Sequence, residues 1–213
     1  MTAADVLSQV DHLVYATANL ERGIAEIEAL LGVRAMPGGR HPAWGTRNAL
    51  IALGPSSYLE IIAPDPDHAP SSGVHPFGLG TLQRSHLVGW AAKGAQLEKL
   101  REAAARHGVE LGNVLAGSRQ PPGGALLTWQ ITDLHRVVAD GIVPFFIDWG
   151  ESLHPAKGAP PGATLVDLRA EHPDAGRVRG LLGALELNLP VAAGPTPVLL
   201  AQVDCPRGRV VLR

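Results

Sequence analysis

The chain of 213 residues is poor in cysteine and in net charge. Cys205 is its single cysteine, which excludes a disulfide within the chain and a metal site built from thiolates. A proline follows Cys205 in a turn-like stretch, so we do not expect this residue to act as a nucleophile. The 18 basic and 20 acidic residues give a net charge of −2 and form no long run of one sign. Nucleic acid and anionic membranes are therefore unexpected partners.

Segments that would direct the chain into or across a membrane are also missing. The first residues, MTAADVLSQVDHL, lack the positive start and the apolar stretch of a signal peptide. No apolar run reaches the roughly 18 residues that a spanning helix needs. We therefore expect a soluble, cytoplasmic protein. A nucleotide cofactor is disfavoured because the glycine pairs Gly38-Gly39 and Gly123-Gly124 lack the spacing of a phosphate-binding loop.

The sequence does contain a repeated pattern with a histidine near its start. Residues 10–17 alternate like a strand that carries His12 on one face, and an amphipathic helix capped by Asn19 follows. Two strand-like runs, TRNALIALG and SSYLEIIAP, then meet at a Gly-Pro turn. The stretch RSHLVGWAAKGAQLEKLREAAARHGV starts the pattern again, with His86 in the place of His12. The chain is therefore predicted to contain two copies of one unit.

This pattern divides the chain into four parts. Residues 1–66 form a first β-α-β-β-β unit, and residues 67–83 form a linker rich in proline, glycine and serine. Residues 84–160 form the second unit, and residues 161–213 read as a shorter β-α-β-β half-unit packed on the same domain. Within the first unit, MPGGRHPAWG reads as a loop.

Two such units in tandem resemble the vicinal oxygen chelate superfamily and, within it, the glyoxalase-like group that includes bleomycin resistance proteins and dioxygenases. The resemblance covers nearly the whole chain. It rests on DHLVYATANLERGIAEIEALLGV, on WGTRNALIALG leading into YLEIIAP, and on PFFIDWG followed by Leu153, His154 and Pro155. It implies an α+β fold in which the paired units form a curved mixed sheet around a cleft.

The resemblance also implies a divalent metal, held by a histidine from the first strand and a carboxylate from the last strand of each unit. In this chain the matching residues are His12 and Glu60 in the first unit, and His86 and Asp148 in the second. Asp148 depends on aligning FFIDWG with SYLEII, and a slip of one residue would turn it to the other face of the sheet. Such ligands suit Zn, Mn, Fe, Co or Ni. The ion would chelate two substrate oxygens, with Glu60 or Asp148 as the catalytic base.

Five further residues are candidates for contact with a substrate. Thr46 and Asn48 share one strand face, from which they either hydrogen-bond a ligand or pair across strands. Trp90 and Trp149 flank the second histidine and carboxylate, where they could wall a pocket. His154 precedes a proline after FFIDWG, a feature that recurs in the resembling group.

Three interpretations of function are open at this point. The first is a metal-dependent enzyme of the isomerase, lyase or dioxygenase type that acts on a small molecule. The second is a metal-free protein of the same fold that sequesters a small apolar or aromatic compound. In the third, residues 163–213 chiefly cover a sheet edge or pair subunits in a homodimer, so truncation at Gly162 would change the oligomeric state and leave the cleft. Whether the units pair within one chain or between chains is also open.

Overall fold

The first unit has the order helix, strand, helix and three strands. The computed structural model describes residues 5–120 and 123–213; residues 1–4 of the predicted first unit and residues 121 and 122 of the predicted second unit lie outside the described residues. The elements of the first unit are α1 (Val6–Gln9), β1 (Val10–Ala16), α2 (Leu20–Leu31), β2 (Met36–His41), β3 (Thr46–Gly54) and β4 (Ser57–Pro64).

Helix α2 begins and ends at the residues that the sequence indicates. The Asn19 side chain accepts a hydrogen bond from the Arg22 amide at 2.9 Å and caps the first turn. Gly32 ends the helix in the left-handed conformation, with φ of 72°. None of the helices in the described part of the chain is long and apolar enough to span a membrane.

Strand β2 replaces most of the loop that was predicted for MPGGRHPAWG. It pairs antiparallel with β3, with an irregularity between Pro37 and Gly39, and a single 3-10 turn, Pro42–Trp44, follows it. The strand lies at the edge of its sheet, where proline and glycine are tolerated because one row of backbone groups needs no partner. The loop prediction was wrong because it rested on the proline and glycine content alone and did not consider that the segment could form an edge strand.

The second unit repeats the order of the first. Its elements are β5 (His86–Lys93), α3 (Leu97–Arg106), β6 (Val114–Arg119), β7 (Leu127–Thr132) and β8 (Phe145–Asp148). Strand β6 has no counterpart among the sequence predictions, because VLAGSR is short and lacks a clear apolar alternation.

The C-terminal segment contains one strand more than the predicted half-unit. Its elements are β9 (Thr164–His172), α4 (Ala175–Ala184), β10 (Val191–Ala193), β11 (Val198–Cys205) and β12 (Gly208–Leu212). They form a separate four-stranded sheet in the order β10-β9-β11-β12. Its buried residues, among them Leu168, Val178 and Val203, belong to the same apolar core as those of the first two units. Truncation at Gly162 would therefore expose that core.

The first two units share one eight-stranded sheet in the order β2-β3-β4-β1-β5-β8-β7-β6. They join within this single chain through antiparallel pairing of β1 with β5. The sheet curves until it is nearly closed, because its two edge strands, β2 and β6, approach each other. The predicted α+β fold with a curved mixed sheet around a cleft is confirmed.

The two faces of this sheet have different roles. One face packs against α2, α3 and the C-terminal sheet, and its fully buried residues include Leu13, Ile51, Leu59 and Ile61. Because side chains alternate along a strand, the residues between these point to the opposite, concave face. That face carries most of the buried polar side chains described next.

Candidate functional site

The concave face surrounds a narrow cavity of about 30 Å³. Its polar side carries His12, His41, Thr46, Asn48, Glu60 and Arg119. Its apolar side carries Trp129, Ile131, Leu134, Phe145, Ile147 and Trp149. Except for Arg119, these polar residues come from the first unit, and these apolar residues come from the second, although Trp44, Tyr58 and Ile62 add apolar surface from the first unit. A ligand in this cavity would meet a polar wall on one side and a mainly apolar wall on the other.

His12 and Glu60 lie together on the polar wall. His12 Nε2 is 3.7 Å from Glu60 Oε2, and both residues are buried. The Asn48 amide donates a hydrogen bond to Glu60 Oε1 at 2.6 Å, which fixes that carboxylate. The Tyr58 ring stacks on the His12 ring at 4.6 Å between centroids. The two reactive groups are therefore held in place by residues of their own unit.

Asp11 holds the other side of the His12 ring. Its Oδ1 is 2.8 Å from His12 Nδ1. Strict alternation would send Asp11 and His12 to opposite faces, but Asp11 is the extra residue of an irregularity in the pairing of β1 with β5. Such a bulge changes the direction of a side chain, so neighbouring residues can touch. Trp149 Nε1 at 3.2 Å and His154 Nε2 at 3.1 Å contact Asp11 Oδ2.

The state of Asp11 determines which nitrogen of His12 is free. Burial alone would raise the pKa of Asp11, but hydrogen bonds from His12 and His154 outweigh it and lower the pKa well below the usual range. The ionised carboxylate can only accept, so His12 carries its proton on Nδ1 and turns the lone pair of Nε2 toward Glu60. His12 Nε2 and Glu60 Oε2 face each other across 3.7 Å. This gap is suited to a proton, a donor group or a cation.

The other two predicted metal ligands lie elsewhere. Antiparallel pairing sets His12 beside Ala91, whereas His86 pairs with Ala16 at the far end of the strand. His86 lines a different cavity, which contains Trp90. Asp148 accepts a hydrogen bond from the Gly150 amide at 2.9 Å and closes a turn. Within residues 5–120 and 123–213, no three His, Cys, Asp or Glu side chains are grouped so that they could hold a metal ion.

The pairing register explains this difference between the units. In the first unit, the residue beside His12 is Tyr58, two positions before Glu60. In the second unit the corresponding residues are apolar, namely Ala91, Phe145 and Ile147. The repeated His-Leu-Val motif suggested His86 instead, because local similarity does not fix the register between strands.

The five candidates for substrate contact separate into two groups. Thr46, Asn48 and Trp149 line the cavity. Trp90 is fully buried in the main core, where its Nε1 donates to the Ile142 carbonyl at 2.8 Å. His154 lies behind His12, on Asp11. The Oδ1 atom of Asn48 is buried without a partner among the described residues, so it could accept a hydrogen bond from a ligand.

Three tryptophans belong to the aromatic lining of the cavity. Trp129 lies 6.2 Å from Trp44 and 5.2 Å from Trp149 between ring centroids. A Cβ on Gly117, across the strand pair, would lie 2.3 Å from Trp129 Nε1, so only glycine leaves room for this indole. The aromatic wall therefore depends on a glycine in β6.

Sequence reasoning missed three residues of this site. The sequence shows an acidic residue, Asp11, directly before His12, but it gives no sign of the bulge that turns this side chain inward. His41 ends a strand that was predicted as a loop, and Arg119 ends a strand that was not predicted. His41 and Arg119 were missed because their strands were not predicted, and Asp11 was missed because the direction of its side chain was not predicted.

His41 is a neutral, buried part of the polar wall. Its Nδ1 lies 3.0 Å from the Thr46 hydroxyl. Burial lowers the pKa of His41 to about 4, although the negative charge of Glu60 opposes the shift. At neutral pH, His41 therefore adds no charge beside His12.

The His41 pKa predicts an acid-dependent loss of stability. Since it lies below the ordinary 6.5, the unfolded chain binds a proton on His41 that the folded protein does not. The free energy of unfolding is therefore unaffected above pH 6.5 and falls between pH 6.5 and 4, by about 3 kcal/mol from this residue. Urea unfolding across this range should show a steeper loss for the wild type than for His41→Gln. Parallel curves would contradict the assignment.

The comparisons with known proteins agree with this architecture. Two β-α-β-β-β units joined around a cavity define a protein of the vicinal oxygen chelate class, with the glyoxalase-like fold. The chain belongs to the glyoxalase-like domain family, whose model matches residues 10–186.

Solved structures of low sequence identity are also similar to the chain. A hypothetical protein from Staphylococcus aureus is 16% identical, with a TM-score of 0.64, over 95% of this chain and 83% of that chain. Methylmalonyl-CoA epimerase from Mycobacterium tuberculosis is 17% identical, with a TM-score of 0.46, over 70% of this chain and 93% of that chain. No curated protein matches the chain.

Proposed function

We propose that the protein is an enzyme that moves a proton on a small molecule, as isomerases and lyases do, with His12 and Glu60 as the reacting pair. The observation that carries the proposal is the gap of 3.7 Å between His12 Nε2 and Glu60 Oε2. Both groups accept protons, and they face the cavity from one buried wall. A base must lie within reach of the proton that it removes, and a histidine oriented by a carboxylate is a common form of such a base.

The surroundings support this role. Asp11 selects the tautomer and stabilises the imidazolium that forms when Nε2 takes a proton. Asn48 orients Glu60, which can receive that proton from the His12 imidazolium and deliver it to the oxygen or the carbon of the enolate, leaving His12 neutral and Glu60 ionised again. The apolar wall excludes water and accepts the carbon skeleton of the ligand. A ketone whose neighbouring carbon bears hydrogen has the required chemistry.

A resident metal with the four predicted ligands does not fit this cavity. Of those ligands only His12 and Glu60 reach it, and their counterparts in the second unit are Ala91 and Ile147. Catalytic zinc sites have three protein ligands as a rule, and structural sites have four. The proposal therefore assigns proton transfer to His12 and Glu60 themselves.

The metal-free binding protein is the second candidate. It is favoured by the three tryptophans of the cavity and by the apolar residues of the second unit. Such a protein would bind an aromatic compound without changing it, so a chemical readout separates the two functions.

Exchange of carbon-bound hydrogen tests the proposal. Phenylacetone and phenylpyruvate carry exchangeable protons beside a ketone, and proton NMR in D₂O follows their loss. We expect the protein to exchange at least one of them faster than the enzyme-free background, at the same rate before and after treatment with EDTA. Elemental analysis of the same samples reports bound metal. Binding without exchange would favour the metal-free binding protein. Exchange that EDTA abolishes would mean that the reaction depends on a bound metal ion.

A further inference from the structure

We infer that Arg119 binds a carboxylate of the ligand, so that the natural substrate is a small organic acid with an apolar or aromatic body. This inference rests on the proposed function only in that the cavity binds a small molecule. The inference goes beyond the proposed function by giving the substrate a negative charge and by placing that charged group at Arg119.

Arg119 is a buried cation without a counter-charge in contact with it. Its exposed fraction is 5%. The only hydrogen bond of its side chain within the described residues runs from Nη1 to the Gly38 carbonyl, and no carboxylate there forms an ion pair with it. A charge removed from water is costly unless it is paired. An anionic ligand would supply the missing partner.

Neighbouring arginines show that this situation is particular to Arg119. Arg40 contacts Asp65 and Asp67 at 2.9 and 2.8 Å. Arg47 forms a two-pronged ion pair with Glu21 at 2.7 and 2.9 Å. Both lie in an outer groove of about 720 Å³ that Arg119 also lines. Their charges are already neutralised, whereas that of Arg119 is available.

The position of Arg119 connects the groove with the inner cavity. Arg119 and Asn48 line both spaces, and they lie where the edge strands β2 and β6 meet. A Cβ on Gly38 would lie 2.2 Å from Asn48 Oδ1 and 3.0 Å from Arg119 Nη1, so both side chains reach the same point of the seam. Asn48 in turn holds Glu60. A carboxylate on Arg119 therefore leaves the rest of a small acid directed toward the reacting pair.

The chemistry of guanidinium favours a carboxylate. Its planar donors match two carboxylate oxygens, and such charge-assisted pairs are among the strongest hydrogen bonds in proteins. Glu60 is the acidic group of the polar wall, but it accepts a hydrogen bond from Asn48 and forms no ion pair with Arg119. The hydrogen bond to Gly38 also joins the two sheet edges, so the test must separate binding from this structural role.

A matched pair of probes makes that separation. Benzoate and benzamide have the same shape and differ in charge, and fluorescence of the cavity tryptophans reports their binding. We expect the wild type to prefer benzoate by about tenfold or more, Arg119→Gln to lose this preference, and Arg47→Gln to keep it. Equal affinity of the wild type for both probes would overturn the inference, as would an unchanged preference in Arg119→Gln.

Two further arms keep the result decisive. If Arg119→Gln does not fold, Arg119→Lys takes its place. Lysine keeps the positive charge, so this variant is expected to prefer benzoate over benzamide, but less strongly than the wild type does. Complete loss of the preference in Arg119→Lys would mean that the charge of residue 119 does not select the ligand, and would overturn the inference. Phenyl phosphate binding more tightly than benzoate would overturn the carboxylate assignment in favour of a phosphate ester. Equal kcat/KM for exchange of phenylpyruvate and phenylacetone would contradict the inference and leave the proposed function intact. A preference for benzoate that depends on Arg119, without any exchange, would support the inference and contradict the proposed function.

Discussion

His12→Gln is expected to lower the rate of hydrogen exchange by about 10²–10⁴-fold, the usual contribution of a positioned general acid or base. Glutamine can fill the space and keep a hydrogen bond to Asp11, but it cannot take a proton at neutral pH. Affinity for the ligand should change much less, because the apolar wall is untouched. The measurement is the initial exchange rate above background, together with the Kd from tryptophan fluorescence.

His86→Gln is the matched control for this experiment. His86 lies at the other end of the strand pair and lines another cavity, so its replacement should leave the exchange rate within about twofold. If both variants lost activity equally, the assignment of the site to the polar wall would be wrong. If neither did, His12 would not be the base.

Asp11→Asn should have the second largest effect, because this carboxylate is fixed by three side chains. Asparagine offers one acceptor in place of two and brings a donor toward Trp149 or His154. The His12 tautomer is then no longer set. We expect the exchange rate to fall by about 10²–10⁴-fold and the free energy of unfolding by about 2 to 4 kcal/mol.

The same variant tests the pKa of Asp11. Since this pKa is below its ordinary 3.8 in the folded protein, the unfolded chain binds the proton first as the solution is acidified. The stability that Asp11 contributes is therefore complete above pH 3.8 and is lost as the pH falls through the lowered pKa. Unfolding curves below pH 4 should converge for wild type and Asp11→Asn. Asp148→Asn, at an exposed turn, is the control and should follow the wild type.

Much of the fold could be predicted from local patterns. Asn19 and Gly32 bound α2 because their side-chain and backbone preferences act over a few residues. The order of strands and helices then indicated the paired units and the family. Strands β2 and β6 escaped prediction because they lie at the two edges of the sheet, where short segments rich in glycine are stable.

The site was less predictable, because it depends on relations between distant strands. His12 and Glu60 were predicted to lie together, and both line the cavity, since each lies on the inward face of a strand with a clear pattern. His86 and Asp148 were assigned by similarity to them, whereas the register of β5 and β8 brings Ala91 and Ile147 to those places. Asp11 and Arg119 depend on a bulge and on the meeting of two sheet edges, for which the sequence carries no local signal.

The division of the cavity into a polar wall and a mainly apolar wall has a stereochemical consequence. His12 and Glu60 come from adjoining strands of the first unit, and the corresponding residues of the second unit, Ala91, Phe145 and Ile147, have no group that can carry a proton. A planar enolate held between the walls can be approached by a proton donor from one face alone. In D₂O, a methylene group beside the ketone should therefore gain deuterium at one of its two hydrogens, and the product should be a single enantiomer rather than a racemate.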